Sequence, residues 1–332
     1  MVLLTVCVAA YNVEDYLEEC LESFMNEVSS GKCEVLIIND GSKDRTSEIA
    51  DKYSNKFPEI FKHIKKENGG WGSTINTGIQ YAQGKYFKQL DGDDRFQPDQ
   101  FSLFLKLLEQ CESDLIYTQR REFDDKTGEY LENSPLKGVC VTGNYPLTEM
   151  IDKYRFSMHS ITVRTALLKK NHVKIQEKCF YTDVEFLFKE INWSKTIYMS
   201  DLPLYEYRLN RDGQSVAREG LIKHYKDHEI ALIRDIKYVQ KYGNQKYKVF
   251  YSNIIKGMIK DQYTRYLLIK PSIKVYKELI SFNRAIAQYP NYIKNLDWRS
   301  ICLQKMTSTY FILGFIKHYG SELKAFVCRK HK

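Results

Sequence analysis

The first hundred residues switch repeatedly between two hydrophobic periods. Leu3–Ala9 is an unbroken apolar run, the pattern of a strand covered on both faces. Tyr16, Leu17, Cys20, Leu21, Phe24, Met25 and Val28 then recur at helical spacing, with Asn12 placed as the N-cap and Asp15 three residues on. Val35–Ile38 predicts a second strand, and a helix runs from about Asp44 to Tyr53. Phe61–Lys65 is a short third strand. The turn Asn68-Gly69-Gly70 opens a helix to about Ala82, Gly84 ends it, and Lys85–Leu90 is a fourth strand. Such alternation predicts a mostly parallel sheet with helices on both faces. Right-handed crossovers bring the strand ends to one edge, which is where sheets of this kind bind ligands. Two polar clusters fall there: Asn39-Asp40-Gly41-Ser42 and Asp91-Gly92-Asp93-Asp94.

From about residue 98 the pattern is mixed. Gln100–Cys111 reads as a helix, Leu115–Thr118 as a strand, and 119–141 as a charged hairpin with Thr127-Gly128 at its tip. Ser160–Val163, Thr196–Met199 and Leu204–Leu209 have strand character, and Tyr181–Glu190 that of a short helix. This region is predicted to extend the first sheet. Beyond 220 the chain is mostly helical, with Tyr and Lys interleaved and breaks near Gly243, Pro271 and Pro290.

Composition adds boundaries to this picture. A length of 332 residues suits about two domains, with ample chain for a core. Hydrophobic and charged fractions of 43% and 28% exclude collagen-like, disordered and mini-protein classes. Charge then divides the chain. Residues 1–219 carry 28 Lys and Arg against 35 Asp and Glu, whereas 220–332 carry 22 against 7. The net +8 is therefore the remainder of an acidic body and a basic tail, an asymmetry that suggests a docking segment. The eight cysteines show no C-x-x-C spacing and no accompanying His cluster, so free buried thiols in a reducing cytoplasm are expected. The apolar start lacks the basic residues of a signal peptide and reads as a strand. No apolar run approaches the roughly 18 residues of a spanning helix.

Three carboxylates in the four residues 91–94 repel one another, and burying them without a cation is costly. Oxygen ligands at that density suit Mg²⁺ or Mn²⁺ bridging to a diphosphate; the other reading is a solvated turn that caps a helix before Pro98. Asp40 either accepts a nucleobase N–H or serves turn chemistry beside Ser42. No G-x-G-x-x-G follows the first strand, where Ala9-Ala10-Tyr11-Asn12 stands, and no P-loop occurs anywhere. A metal rather than a glycine cradle is expected to handle the phosphates.

Four stretches, Thr5-Val-Cys-Val-Ala-Ala-Tyr-Asn12, Val35-Leu-Ile-Ile-Asn-Asp-Gly-Ser42, Glu67-Asn-Gly-Gly70 with Asn76-Thr-Gly78, and Leu90-Asp-Gly-Asp-Asp94, carry a resemblance in their order and spacing. The chain resembles the family-two glycosyltransferases of the GT-A fold, in the branch that builds bacterial cell-surface polysaccharides. The resemblance is strong over about 3–110, looser over 150–216 and absent from the tail. It implies a GT-A-like three-layer α/β sandwich with a mostly parallel central sheet, followed by a helical C-terminal region. The nucleotide-sugar part would cover about 1–110, the acceptor part about 111–219, and the helical region 220–332. The implied activity is an inverting transfer of a sugar from a nucleotide-sugar, usually a UDP-sugar, to an acceptor hydroxyl, with Mn²⁺ or Mg²⁺.

Carried over by position, the resemblance implies that Ala9 and Tyr11 frame the nucleobase and that Asp40 hydrogen-bonds it. Asp91 and Asp93 form the D-x-D pair that holds the metal, Asp93 the more directly, and Asn76 and Gly78 lie on the helix backing the donor pocket. Inversion needs a carboxylate to take the acceptor proton, while the metal offsets charge on the departing diphosphate. The family's base is the Asp of a Glu-Asp pair at a helix start. Phe180-Tyr-Thr-Asp183-Val-Glu185 matches, with Thr182 where Glu is usual, so the implied base is Asp183. Glu185 is a second candidate on another helix face, and Asp183 would alternatively cap the helix. Arg208, Arg211, Gln214 and Ser215 either close over the diphosphate or belong to a surface turn at a domain junction. His159 either faces the acceptor or is a structural histidine.

The tail adds Trp298 and the apolar patch Tyr310–Ile316 to its positive charge. Two uses stay open: docking on an anionic membrane surface, or packing on the catalytic domain with its lysines solvated. The first suits a lipid-linked saccharide acceptor and a peripheral place at the inner face of the plasma membrane. Rival classes are a nucleotidyltransferase, which would carry a glycine-rich basic loop after the first strand, and an inactive nucleotide-binding relative, given Thr182. A nucleic-acid partner is not expected, because no recognised binding motif occurs.

Overall fold

Continuous apolar runs become the centre of a nine-stranded sheet in the computed structural model, which describes residues 1–131, 141–211, 214 and 217–294. Ser215, the hairpin segment 132–140, Trp298 and the patch 310–316 lie outside the described residues. The strands are β1 (Leu4–Ala10), β2 (Cys33–Asn39), β3 (Phe61–Lys65), β4 (Tyr86–Asp91), β5 (Arg95–Phe96), β6 (Leu115–Asp124), β7 (Gly143–Pro146), β8 (Ile161–Arg164) and β9 (Thr196–Leu209). Their order is β3-β2-β1-β4-β8-β6-β9-β5, with β7 on β9. The pairs among β1, β2, β3 and β4 are parallel, as strand–helix alternation demands. β8 enters antiparallel between β4 and β6, and β9 runs parallel to β6. The mixed region thus extends the first sheet.

Three local expectations change. Asn12 is not a helix cap: it takes a positive φ of 50°, and its side-chain oxygen accepts Lys43 N–H at 2.9 Å. The helix begins at Leu17 and stops at Glu22, because the Ser23 hydroxyl turns back onto Cys20 O at 2.6 Å, and a short 3-10 turn Met25–Glu27 follows. The two strands expected around 196–209 are one. Pro203 has no N–H to give the ladder, and the β6–β9 register shifts at the facing Gln119 instead of ending.

The core between β1–β4 and the helices Leu17–Glu22, Thr46–Lys56 and Pro98–Gln110 is aromatic. Phe24 meets Phe61, Phe96 and Phe101 edge-on, with centroids 5.1–6.1 Å apart. On the other face helix Trp71–Tyr81 lies close on β1. A Cβ on Gly78 would sit 2.3 Å from Cys7 Sγ, and one on Gly72 would sit 2.1 Å from Gln176 O. Cys7, Cys20, Cys33, Cys111 and Cys179 are free and buried.

The chain divides into two compact units, the first formed by Met1–Gln214 with Asn244–Tyr247. The described part of the second, 217–243 and 248–294, is helical: Arg218–Lys223, Tyr225–Tyr242, Lys248–Leu268, Ile273–Ala287 and Pro290–Ile293. Tyr251, Tyr263 and Tyr266 pack inward, and several tyrosine hydroxyls have partners. Tyr263 donates to Asn283 at 2.8 Å, Tyr266 to Glu229 and Tyr225 to Glu278, each at 2.5 Å. Gly243, Pro271 and Pro290 fall at helix ends, as expected. Among the described residues no helix is long and apolar enough to cross a membrane.

Gly78→Ala is expected to lower stability by about 1–3 kcal/mol in urea unfolding, because both Cys7 and the helix are tightly placed. Gly257→Ala, in the interior of helix Lys248–Leu268 with nothing within 4 Å of the added methyl, should raise it by about 0.5–1 kcal/mol.

Candidate active site

Parallel register brings Ala9, Asn39 and Asp91 to one edge of the sheet, since Ala9 pairs with Asp91 and Ala10 with Asn39. Both polar clusters named from the sequence stand there. The loop after β4 packs tightly: Gly92 N–H donates to Ala9 O at 2.9 Å, and a Cβ on Gly92 would lie 3.0 Å from that oxygen.

The acidic cluster is crowded and ordered by donors. Asp91 Oδ1 accepts the Trp71 indole N–H at 2.8 Å. Asp93 is ion-paired with the Arg211 guanidinium. Asp94, 1% exposed, accepts the Tyr205 hydroxyl at 2.6 Å and Arg208 N–H at 2.8 Å. Burial first, then Asp93, push the Asp91 carboxyl up; Asp183 pushes it further, while Trp71 and Arg211 act against this. Asp94 is held well above the ordinary carboxylate range by burial and by Asp93 and Asp91. Burial, then Arg120 and Lys88, push His159 well below the usual imidazole value.

Ligand atoms of Asp91, Asp94 and His159 lie within 4.8 Å of one another. Asp94 and His159 were not singled out as ligands by the sequence; the adjacency of Asp94 to Asp93 is the only signal it offered. The carboxylates fit a divalent cation, whose charge would offset the repulsion that raises Asp91 and Asp94.

Asp183 is the first residue of helix Asp183–Asn192 and stands near enough to Asp91 to act on its ionisation. The residue two before it, Tyr181, takes a positive φ of 59°, and the Thr182 hydroxyl is buried without a hydrogen-bond partner. Glu185 turns elsewhere: it accepts Gln176 N–H at 2.9 Å and pairs with Lys189 at 2.7 Å.

Several residues expected at the nucleotide have other uses here. The Asp40 carboxylate is 2% exposed and accepts Gly69 N–H (2.9 Å), Gly70 N–H (2.8 Å), Lys66 Nζ (2.5 Å) and the Ser73 hydroxyl (3.2 Å). It anchors the loop ahead of helix Trp71–Tyr81, with three of these donors on Oδ1 and only Gly70 N–H on Oδ2. Both amide atoms of Asn76 bind the backbone of Ile175, at 2.7 and 2.9 Å, so Asn76 braces the segment leading to Asp183. Arg208 is 6% exposed and lies between the rings of Tyr16 and Phe123, at 4.9 and 4.7 Å. Its guanidinium reaches Glu19, Asp125 (2.8 Å) and Asp93 O (2.7 Å), which accounts for every nitrogen of the fork. Arg211 stands at Asp93, and Tyr11 is 48% exposed.

An open α/β sheet with an acidic cluster and a second carboxylate at its carboxyl edge defines a class of nucleotide-dependent group-transfer folds. The family model "Glycosyl transferase family 2" matches residues 5–174, half of the chain, and the chain belongs to that family. It is 25% identical over 301 residues to the minor teichoic acid biosynthesis protein GgaB of Bacillus subtilis, covering 86% of this chain and 32% of that protein. It is 29% identical to the glycosyltransferase EpsH of the same organism over 61% of this chain and 60% of EpsH. It is 26% identical to the hyaluronan synthase of Pasteurella multocida over 78% of this chain and 30% of the synthase. The chain thus spans about a third to three-fifths of these relatives' lengths. Residues 1–349 of S. aureus TarS with UDP share the fold at a TM-score of 0.65 and 18% identity, covering 99% and 92% of the two chains. The UDP-GlcNAc complex of TarS gives a TM-score of 0.56 at 20% identity, covering 87% and 89%. The fold is GT-A-like.

Because the folded chain holds protons on Asp91 and Asp94 at pH values where the unfolded chain has lost them, stability falls as pH rises above the ordinary carboxylate range of about 4. In EDTA, Asp91→Asn should therefore raise the melting temperature at pH 8, and the gain should shrink as the pH falls toward 4. Mn²⁺ should stabilise wild type at pH 8 and do so little for Asp91→Asn. Differential scanning fluorimetry reads both arms.

Proposed function

We propose that this chain transfers a sugar, with inversion, from a UDP-sugar to an acceptor hydroxyl in the synthesis of a cell-surface polysaccharide or glycolipid. The observation that carries the reading is the approach of Asp183 to Asp91. About ninety residues apart in sequence, they stand near enough for the charge of Asp183 to raise the Asp91 carboxyl. That is the separation of roles an inverting transfer needs: one group for the acceptor proton, another for the leaving diphosphate. The naming of relatives for teichoic acid and hyaluronan synthesis, and the UDP and UDP-GlcNAc bound by TarS, support the substrate class.

In this reading Asp183 takes the proton of the attacking hydroxyl, and Asp91 and Asp93 hold Mn²⁺ or Mg²⁺. The cation supplies charge to offset the departing diphosphate. Ala9 and the exposed Tyr11 border the base. Arg208 and Arg211, both held at the acidic cluster through Asp93, are the guanidinium groups assigned to the phosphate oxygens. Asp40 acts on the nucleotide by fixing the 66–70 loop. Residues to about 219 form the catalytic body, and the basic region from 220 serves a lipid-linked acceptor at an anionic membrane surface, with the protein on the cytoplasmic side.

A panel of UDP-sugars assayed for Mn²⁺-dependent UDP release should single out one or two donors; no turnover of any of them, with or without metal, would remove the transferase reading. With the donor found, Asp183→Asn should lower kcat about 10²–10⁴-fold. UDP affinity in calorimetry should stay within about threefold of wild type, because the removed base does not touch the nucleotide. Transfer near the wild-type rate would reassign the base.

A further inference from the structure

His159 was marked by its position before a strand, and the structure gives it surroundings that a filler histidine does not need. It lies in the 3-10 turn Met158–Ser160 and is 8% exposed. Its ring packs on Tyr205 and Tyr207 of β9, with centroids 4.9 and 4.8 Å away. Lys88 of β4, itself 1% exposed, donates to His159 O at 2.9 Å and to Ile161 O at 3.2 Å. Arg120 of β6 places Nη1 3.1 Å from His159 Nδ1. Side chains from β6 and β9 thus hold the imidazole, and β4 holds its backbone.

The Arg120 contact decides which nitrogen carries the hydrogen. A guanidinium has donors only, so Nδ1 must be the acceptor. The ring hydrogen is then on Nε2. That atom is buried with no hydrogen-bond partner, and Asp91 Oδ2 lies 4.0 Å from it. The other oxygen of the same carboxylate already takes the Trp71 indole N–H at 2.8 Å. Two aromatic N–H groups, fixed on separate elements, thus face the two oxygens of Asp91.

We infer that His159 is a positioning residue for the donor site: its Nε2–H, with the Trp71 indole, fixes the plane of the Asp91 carboxylate, and it is not a metal ligand itself. The inference rests on the metal-dependent UDP-sugar reading and deepens it. A closure of about 1 Å would bring the Nε2–H onto Oδ2 at ordinary hydrogen-bond length. One lone pair on each Asp91 oxygen then meets an N–H, and the remaining ones stay directed at the cation. Groups that orient a ligating carboxylate in this way typically carry a 10–100-fold share of metal affinity.

The test separates donor, ligand and filler. Mn²⁺-dependent UDP binding is measured by calorimetry on wild type, His159→Gln and His159→Phe, with melting temperatures recorded in EDTA. Glutamine carries an N–H near the Nε2 position, and phenylalanine keeps only the ring. The inference expects His159→Phe to weaken the metal dependence about 10–100-fold and His159→Gln to stay within about threefold of wild type. Equal loss in both variants would make His159 a ligand, and no loss in either would make it a filler; each result overturns the inference. Should His159→Phe fail to fold, ¹⁵N spectra of the wild-type imidazole decide, with a hydrogen on Nε2 expected both without metal and with Mg²⁺ and UDP. Hydrogen on Nδ1 in either state overturns the inference. Absence of any metal-dependent UDP binding in wild type would count against the proposed function, whereas the metal-free ¹⁵N spectrum tests the Nε2–H on its own.

Discussion

Asp91, Asp93 and Asp94 leave β4 within four residues, and each carboxylate meets donors from a different part of the chain. Trp71 reaches Asp91 from the start of a helix, Tyr205 and Arg208 reach Asp94 from β9, and Arg211 pairs with Asp93. Like charge at this density cannot be buried without such company. The long strand β9, the insertion of β8 beside β4 and the close seating of helix Trp71–Tyr81 all serve to deliver it. Much of what surrounds the sheet edge can be understood as the arrangement of N–H and O–H groups around one negative cluster.

This constraint separates residues of the same type into different uses. Arg208 is sandwiched between Tyr16 and Phe123 and braces the backbone of Asp93, whereas Arg211, three residues on, meets an Asp93 carboxylate oxygen. Asp40 sits at the same edge as Asp91 and gathers four donors of its own, three of them on Oδ1, so it organises a loop. Asn76 and Glu185 both reach the 175–176 backbone, one from each flanking helix, and together secure the approach to Asp183. Residues near the site thus also hold one another in place.

The second unit answers a different problem. Among its described tyrosines, Tyr251, Tyr263 and Tyr266 are in the core of its helices, and the hydroxyls of Tyr225, Tyr263 and Tyr266 turn to Glu278, Asn283 and Glu229. A phenol buries its ring and still needs a partner for its tip. The positive charge that marks this region in the sequence therefore accompanies an ordinary helical core.

Alternation of apolar runs and helical spacing was enough to determine the parallel half of the sheet, the edge where its strands end, and the two polar clusters on that edge, because those features follow from local periodicity and the handedness of crossovers. The four motif stretches were likewise sufficient for the family. Tertiary structure decided the rest. Whether a carboxylate or guanidinium is available depends on which donors and acceptors fold against it, and for Asp40, Asn76 and Arg208 those lie up to about 190 residues away in the chain. The break at Ser23 and the continuity of β9 through Pro203 turned on single hydrogen bonds and strand pairing that periodicity does not record. His159 could be noticed in the sequence, but the hydrogen on its Nε2 exists as an argument only because Arg120 folds against Nδ1.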